Sequence, residues 1–359
     1  LPPLFPPPRC NIRFSFKGVE MNQVLSAEAA MARAIELARL GLGKTFPNPI
    51  VGAVITSATG EFISEGFHQG GDHAEVVAIN AAKEIPTGAI IYVTLEPCNH
   101  QGKTPPCTDA IIKAGLSKVV YAVSDPNPIA AGGAKRLQGA GIEVVAGLGE
   151  TEARHDNRAW LTKVELGRPR ITWKIASTMD GKVTASDGSS KWITGEPARS
   201  DVAIMRSQAD AIVTSTATVI ADNPGLTAKG LGKNPVRIVM GTRELSQDLQ
   251  IFGDDAETIL IKSHDFSELI KVSKDRGFNS LMIESGPNFG TALLKEDLVD
   301  EIVLFQAPTL LGTGAPAIGD LGITNISGRL DFEISDVEVI GADLKITLIK
   351  SAKPAEGGR

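Results

Sequence analysis

Four side chains in the first third of the chain could do chemistry together: His73, Glu75, Cys98 and Cys107. One imidazole and two thiolates are the ligand set of a zinc site that keeps its fourth position open for water. A glutamate two residues past the histidine can stand beside that water without binding the metal, which suits a proton carrier. The cysteines close the run Glu96-Pro97-Cys98-Asn99-His100-Gln101-Gly102-Lys103-Thr104-Pro105-Pro106-Cys107. A Cys98–Cys107 disulfide is the rival reading, and the nearby His-x-Glu favours metal over it.

His-x-Glu followed by Pro-Cys and a second Cys is the arrangement of the zinc-dependent base deaminases. There, metal-activated water attacks an amidine carbon and the glutamate moves the protons. The usual spacing is Pro-Cys-x-x-Cys, and here the second cysteine falls nine positions after the first. Within the longer insertion, Glu96 to His100 and Gly102 to Cys107 resemble the deaminase domain of the bifunctional riboflavin-biosynthesis deaminase–reductases. That resemblance runs from about Val24 to Ile349. It implies an α/β chain: a cytidine-deaminase-like three-layer domain, then a dihydrofolate-reductase-like α/β domain. It also implies zinc and NADPH as cofactors and a small pyrimidine ribosyl phosphate as substrate.

The elements that must hold the first constellation are legible in order. Ser26 caps a helix with apolar residues at Ala27, Ala30, Met31, Ala34, Ile35 and Ala38. A strand is expected from Ile50 to Thr56, returning through a turn at Ser57–Gly60 to a second strand, Phe62 to Gly66. A helix from His73 to Ala82 starts at the metal, its dipole favouring negative charge there. The apolar run Ala89 to Leu95 reads as a buried strand, bringing Glu96-Pro97-Cys98 to its carboxyl end. Pro106 starts the next helix with Cys107 in its first turn. Strands at Val119–Val123 and Ile142–Val145 follow, then one amphipathic helix from Glu150 to Leu166. Gly167-Arg168-Pro169-Arg170 is the linker.

Three further positions have two readings. Asn48, between Pro47 and Pro49, sits on a rigid turn; the resemblance adds a substrate contact. His68 and His100 are either packed or exposed histidines or extra ligands, with substrate contact the better alternative for His100. Asp125-Pro126-Asn127-Pro128 with Ala131-Gly132-Gly133 lies after a strand end, and so borders the pocket or forms a plain turn. Gly41-Leu42-Gly43-Lys44-Thr45 is not a phosphate loop, because position 38 is alanine and a helix precedes it.

The second half restarts with a strand, Ile171 to Ala176. Further strands are expected at Val236–Met240, Thr258–Ile261 and Ser280–Glu284, with a small-residue turn after Ala211–Thr214. No Gly-x-Gly-x-x-Gly occurs near the strand ending at Gly286, so a Rossmann dinucleotide domain is not supported. The resemblance assigns Ser190, Arg206, Leu226 and Glu284 to the phosphoribosyl substrate. It also places Lys229 there, where many relatives have arginine. Ala176, Trp192, Thr194, Thr218, Asp222 and Gly286 would line the NADP site. Lys182 and Asp222 are candidates for polarising the opened ribose carbonyl and orienting the hydride.

Composition sets the outer limits. A 359-residue chain, 42% hydrophobic and 22% charged, has material for two ordinary globular cores. The expected boundaries are a disordered leader over 1–22, the deaminase over 23–167, the reductase over 168–352 and a flexible tail over 353–359. A net charge of −6 argues against a general nucleic-acid binder. Three cysteines, Cys10 among them, give no disulfide framework. No apolar run is long enough to span a membrane, and a cytoplasmic enzyme is expected. A homodimer through the second domain follows only from the resemblance. Two rivals remain: a cytidine or tRNA adenosine deaminase with an unrelated appendage, and a zinc-stabilised binding protein with dead sites.

Overall fold

The computed structural model describes residues 23–102 and 104–351. The expected leader, with Cys10 in it, and the expected tail lie outside the described residues. The chain divides into two compact units between Arg168 and Pro169.

The first unit opens with α1 (Ala27–Arg39), whose first turn is capped by the Ser26 hydroxyl accepting from Ala29 N at 3.2 Å. β1 (Gly52–Thr56) and β2 (Phe62–Phe67) form the expected hairpin. Then come α2 (Ala74–Ala81), β3 (Ile90–Leu95), α3 (Cys107–Lys113), β4 (Lys118–Val123), α4 (Gly133–Gly139) and β5 (Glu143–Ala146). The sheet order is β2-β1-β3-β4-β5; β1 is antiparallel to both neighbours, and pairing is parallel from β3 onward. Successive β1 residues serve opposite faces, as a strand requires. Val54 joins Met31, Ile35, Tyr92 and Val120 on one side. Ala53 and Ile55 join Ala74, Ala78, Ile91 and Ile111 on the other. Helices therefore cover both faces of the sheet, giving the three layers expected.

Two local expectations need correction. Pro106 occupies the capping position rather than the first helical one, so Cys107 itself begins α3. The helix expected from Glu150 to Leu166 is two helices, α5 (Glu150–Asp156) and α6 (Arg158–Leu166). Asn157 breaks them. Its side-chain oxygen accepts from Ile50 N at 2.9 Å, and its amide donates to Ile50 O at 2.8 Å. Both Asn157 and Ile50 are buried, so the pair satisfies backbone groups that β1 leaves unpaired at its entrance. Helix periodicity carried no sign of this, because the partner lies 107 residues away.

The second unit begins with β6 (Arg170–Thr178), then α7 (Glu196–Gln208), β7 (Ala211–Ser215), α8 (Thr216–Asp222), β8 (Val236–Met240) and β9 (Thr258–Ile261). It continues with α9 (Phe266–Asp275), β10 (Ser280–Ile283), α10 (Pro287–Lys295), β11 (Glu301–Ala307), β12 (Phe332–Ile340) and β13 (Asp343–Lys350). The eight strands run β12-β13-β11-β6-β10-β7-β8-β9, parallel from β11 to β9 and antiparallel across β13 and β12. Ala198 and Val202 of α7 pack with Val303, Phe305 and Met282 on one face. α10 packs on the other, where Gly290 presses against the buried Trp173 ring.

The small-residue turn expected after β7 is the helix α8. Its β-branched residues disguise it in sequence, but Ser215 caps it by accepting from Thr218 N at 3.2 Å. Strands β11 to β13 were not anticipated. β12 keeps every residue at least partly exposed, so no alternation of buried positions marks it.

Candidate active site

The metal corner is assembled from a helix start, a strand end and a second helix start. His73 holds extended backbone just before α2 and makes no side-chain cap bond, which leaves its ring to turn away from the helix. β3 ends two residues before Pro97, and α3 begins at Cys107. His73 Nδ1, Cys98 Sγ and Cys107 Sγ lie within 4.8 Å of one another. A tetrahedral zinc with bonds of about 2.1–2.3 Å sets its ligand atoms roughly 3.6 Å apart. The observed separations, 3.1 Å from His73 Nδ1 to Cys107 Sγ and 3.5 Å to Cys98 Sγ, fit such an ion.

The electrostatics fit as well. The Cys107 thiol donates to Cys98 and, with the His73 ring, pulls Cys98 down to about 4. One thiolate therefore stands ready before any metal arrives. Cys107, as the donor to Cys98 in a buried corner, is pushed up. His73 is raised, chiefly by its bond to Cys98. Glu75 stands in the first turn of α2, 3% exposed, and burial raises its carboxyl above the ordinary glutamate range.

Asn48 is brought to this corner through His68, a link that sequence reasoning missed. The His68 ring is buried and meets His73 edge-on, with centroids 5.6 Å apart. Its Nδ1 lies 3.0 Å from Asp72 O and its Nε2 3.3 Å from Asn48 Nδ2. Donation from Nδ1 to the carbonyl makes Nε2 the acceptor for the Asn48 amide, which fixes how that amide is turned. His68 and His100 stay outside the metal-ligating cluster. His100 Nδ1 is buried without a protein partner among the described residues.

Glu96 also carries a role not foreseen. Its carboxylate accepts from Ala134 N at 2.9 Å and Asp125 N at 3.3 Å, tying the Cys98 segment to the rim loop Asp125–Gly133. Gly133 sits so close to Pro97 O that a Cβ would lie 1.8 Å from it, so only glycine fits. The rim loop is thus part of the corner's scaffold. Burial raises the Asp125 carboxyl, with Glu96 and Cys98 adding to the rise.

In the second unit two pairs of predicted residues are joined directly by hydrogen bonds, Arg206 with Glu284 and Thr218 with Gly286. Arg206, in the last turn of α7, makes a bidentate pair with Glu284 just past β10, at 2.6 and 2.8 Å. Lys229 lies close enough to lower the Glu284 carboxyl, although burial opposes it and Arg206 acts more strongly. Sequence reasoning gave Arg206 and Glu284 separate contacts on one substrate; the structure also makes them partners of each other. Lys174 on β6 joins them and was missed. It is half-buried, and burial lowers its amine while Glu284 counters part of that shift. Alternation along β6 puts Ala176 on the same side as Lys174.

The second group centres on Thr218 of α8. Its hydroxyl stands 3.2 Å from Ser285 Oγ and accepts from Gly286 N at 3.3 Å, so Thr218 and Gly286 share one corner. Asp222 is exposed one turn further along α8. Trp192 is 71% exposed with φ 70, and the Arg199 guanidinium stacks 4.2 Å from its ring. Thr194 is buried and its carbonyl accepts from Arg199 at 2.6 Å; Ser190 is half-buried in the same loop. The Leu226 side chain belongs to the core, so only its backbone, at φ 49, can face a ligand.

A zinc corner on a three-layer deaminase sheet, joined to a parallel-stranded unit with a half-buried lysine and an arginine–glutamate rim, defines a deaminase fused to a second enzyme. Residues 25–123 match the cytidine and deoxycytidylate deaminase zinc-binding region, and 169–346 match the RibD C-terminal domain. The chain is 42% identical to riboflavin biosynthesis protein RibD of Mycobacterium tuberculosis, over 92% of this chain and 99% of that protein. It is 38% identical to the Escherichia coli protein of the same name, over 90% and 99%. A solved Thermotoga maritima deaminase/reductase superposes with a TM-score of 0.84 at 34% identity, covering 90% of this chain and 98% of that one. The chain belongs to the RibD family of riboflavin-biosynthesis proteins, with a zinc-binding deaminase half and a reductase half.

Proposed function

We propose that the first unit deaminates 2,5-diamino-6-(ribosylamino)-4(3H)-pyrimidinone 5′-phosphate and that the second reduces the ribosyl side chain of the product to ribityl. The observation that carries the reading is the convergence of His73, Cys98 and Cys107 with Glu75 buried beside them. Zinc held by these three side chains would supply Lewis acidity that acidifies a water. Glu75 takes the proton from that water and delivers it first to the ring nitrogen and then to the departing ammonia. Its burial supports this duty, since raising the carboxyl makes it a better proton acceptor. Asn48, held by His68, presents its side-chain oxygen to a substrate N–H.

NADPH bound in the second half would supply a hydride to C1′ of the ribosyl group, while the ring oxygen leaves C1′ and takes a proton. Lys174 suits the proton donor better than Lys182, because it stands beside Glu284 and burial lowers its amine. Asp222 keeps the part of orienting the hydride. Arg206 and Lys229 supply positive charge for the phosphate, and Glu284 accepts from sugar hydroxyls while fixing the Arg206 fork. Ser190 and the Leu226 backbone complete the substrate side. Ala176, Trp192, Thr194, Thr218, Asp222 and Gly286 line the NADP side.

The deaminase is residues 23–167 and the reductase 168–352. The chain works on a small molecule in the cytoplasm, not on nucleic acid, a reading supported by the net charge of −6. No helix among the described residues is long and apolar enough to cross a membrane. The protein is a homodimer through the second unit. Edge strand β12 supports this, with Ile334, Val337 and Val339 exposed at 67%, 48% and 75%. The test is one assay of zinc-loaded protein with the diaminopyrimidinone ribosyl phosphate, following ammonia and NADPH together. Ammonia release followed by NADPH loss is expected; no ammonia from a zinc-loaded sample overturns the substrate.

A further inference from the structure

β6 and β11 run in parallel, with Phe305 beside Ala176 and Ala307 beside Thr178, so both leave the sheet at one edge. β10, parallel to β6, sets Ile283 beside Trp173, so Glu284 stands level with Lys174, four residues before β6 ends at Thr178. Beyond it the two chains stay together as a flap. Met179 N donates to Thr309 O at 2.9 Å, Ala317 N to Gly181 O at 2.8 Å, and Val183 N to Ala315 O at 3.0 Å. Lys182 and Pro316 form an isolated β-bridge. Gly314, at φ 156, approaches Thr184 O so closely that a Cβ would lie 2.0 Å from it.

One carboxylate fastens the tip of this flap. Asp180 Oδ1 accepts from Thr178 Oγ1 at 2.5 Å, and Oδ2 accepts from Gly312 N at 2.7 Å. Leu311 N adds a bond at 3.2 Å to Oδ1. These groups are up to 132 residues apart in sequence. The Thr178 hydroxyl, then the amides of Gly312 and Leu311, hold the Asp180 carboxyl below its usual range. Apolar burial cannot set the tip, because Met179 is 59% exposed and Leu310 69%. Thr178 lies an even number of residues beyond Lys174 and Ala176, so the latch continues the face of β6 that carries them.

We propose that Asp180 is a positioning residue of the reductase. It latches the Met179–Ala185 and Thr309–Ala317 segments into one fixed wall beyond the carboxyl end of β6, the strand that carries Lys174 and Ala176. The inference rests on the reductase reading of the second unit. A fixed wall excludes water and holds donor and acceptor in register, and hydride transfer is steeply sensitive to such placement.

The test is D180N in the full zinc-loaded chain, since asparagine keeps the size but cannot accept on both arms. The kcat of NADPH oxidation is expected to fall roughly tenfold. KM for NADPH, ammonia release and Tm should stay at wild-type values, while amide exchange at Leu311 and Gly312 quickens. T178V, which removes one arm of the latch, should give a smaller loss of the same kind and serves as the readout if D180N does not fold. Wild-type kcat in the folded variants overturns the latch, as does a loss shared by ammonia release and Tm. Wild-type protein that releases ammonia but never oxidises NADPH overturns the reductase reading itself, and the latch with it.

Discussion

The two working regions of this chain are built on opposite plans. The metal corner takes its ligands and its proton carrier from two short stretches, His73–Glu75 and Cys98–Cys107, held by a strand end and two helix starts. The reductase rim draws on β6, α7, the loop after α8 and the end of β10, across more than a hundred residues. A metal demands particular atoms at fixed distances, so its site condenses into a motif. A cleft for a sugar phosphate and a dinucleotide asks for charge and shape, which many residue combinations supply.

The sharpest test of the first plan is Glu75→Gln. Deamination should fall roughly 10²–10⁴-fold with zinc content unchanged, read by ammonia release and metal analysis. Normal ammonia release from that variant would return Glu75 to a structural part. Cys107→Ala should lower zinc per chain and deamination together while NADPH oxidation of supplied intermediate persists. Loss of both activities would erase the contrast between an autonomous metal corner and a separate rim.

The second plan is probed by Lys174→Met. Reduction should drop by roughly 10²-fold, and by more than in Lys182→Met. Burial lowers the Lys174 amine, so its charged form costs stability below its folded pKa. That cost fades as pH rises through the folded value and is gone above the unfolded one, near 10.4. Methionine removes it, and Tm at pH 7 should rise as activity is lost. A fall in Tm would show the amine to be paired in a stabilising way. Last and smallest, Asn157→Ala leaves the Ile50 amide and carbonyl unsatisfied and should cost about 1–3 kcal/mol in denaturant unfolding. The deaminase alone should feel it first, through the turn that carries Asn48.

What could be read in advance follows the same contrast. His73, Glu75, Cys98 and Cys107 announce themselves because their types and order already state a chemistry. The apolar stripe on α1 likewise announces which face is buried. Lys174 did not stand out, since one lysine in an apolar strand has no local mark, and only Glu284 and Arg206 beside it give it meaning. His68 was one histidine among five until its ring was seen between Asn48 and His73. Leu226 was credited with a ligand contact, and packing took its side chain into the core.

The sequence by itself determined the metal, the reaction class of the first half and most helices and strands of the first unit, because those depend on residue type and on periods of two and 3.6. Only the tertiary structure decided that Asn157 would break a helix, that Arg206 and Glu284 would pair, and that Asp180 would fasten a loop 131 residues away. Each of those is a polar group meeting a partner distant in sequence. Burial makes such partners obligatory, and nothing in the local pattern says where the chain will find them.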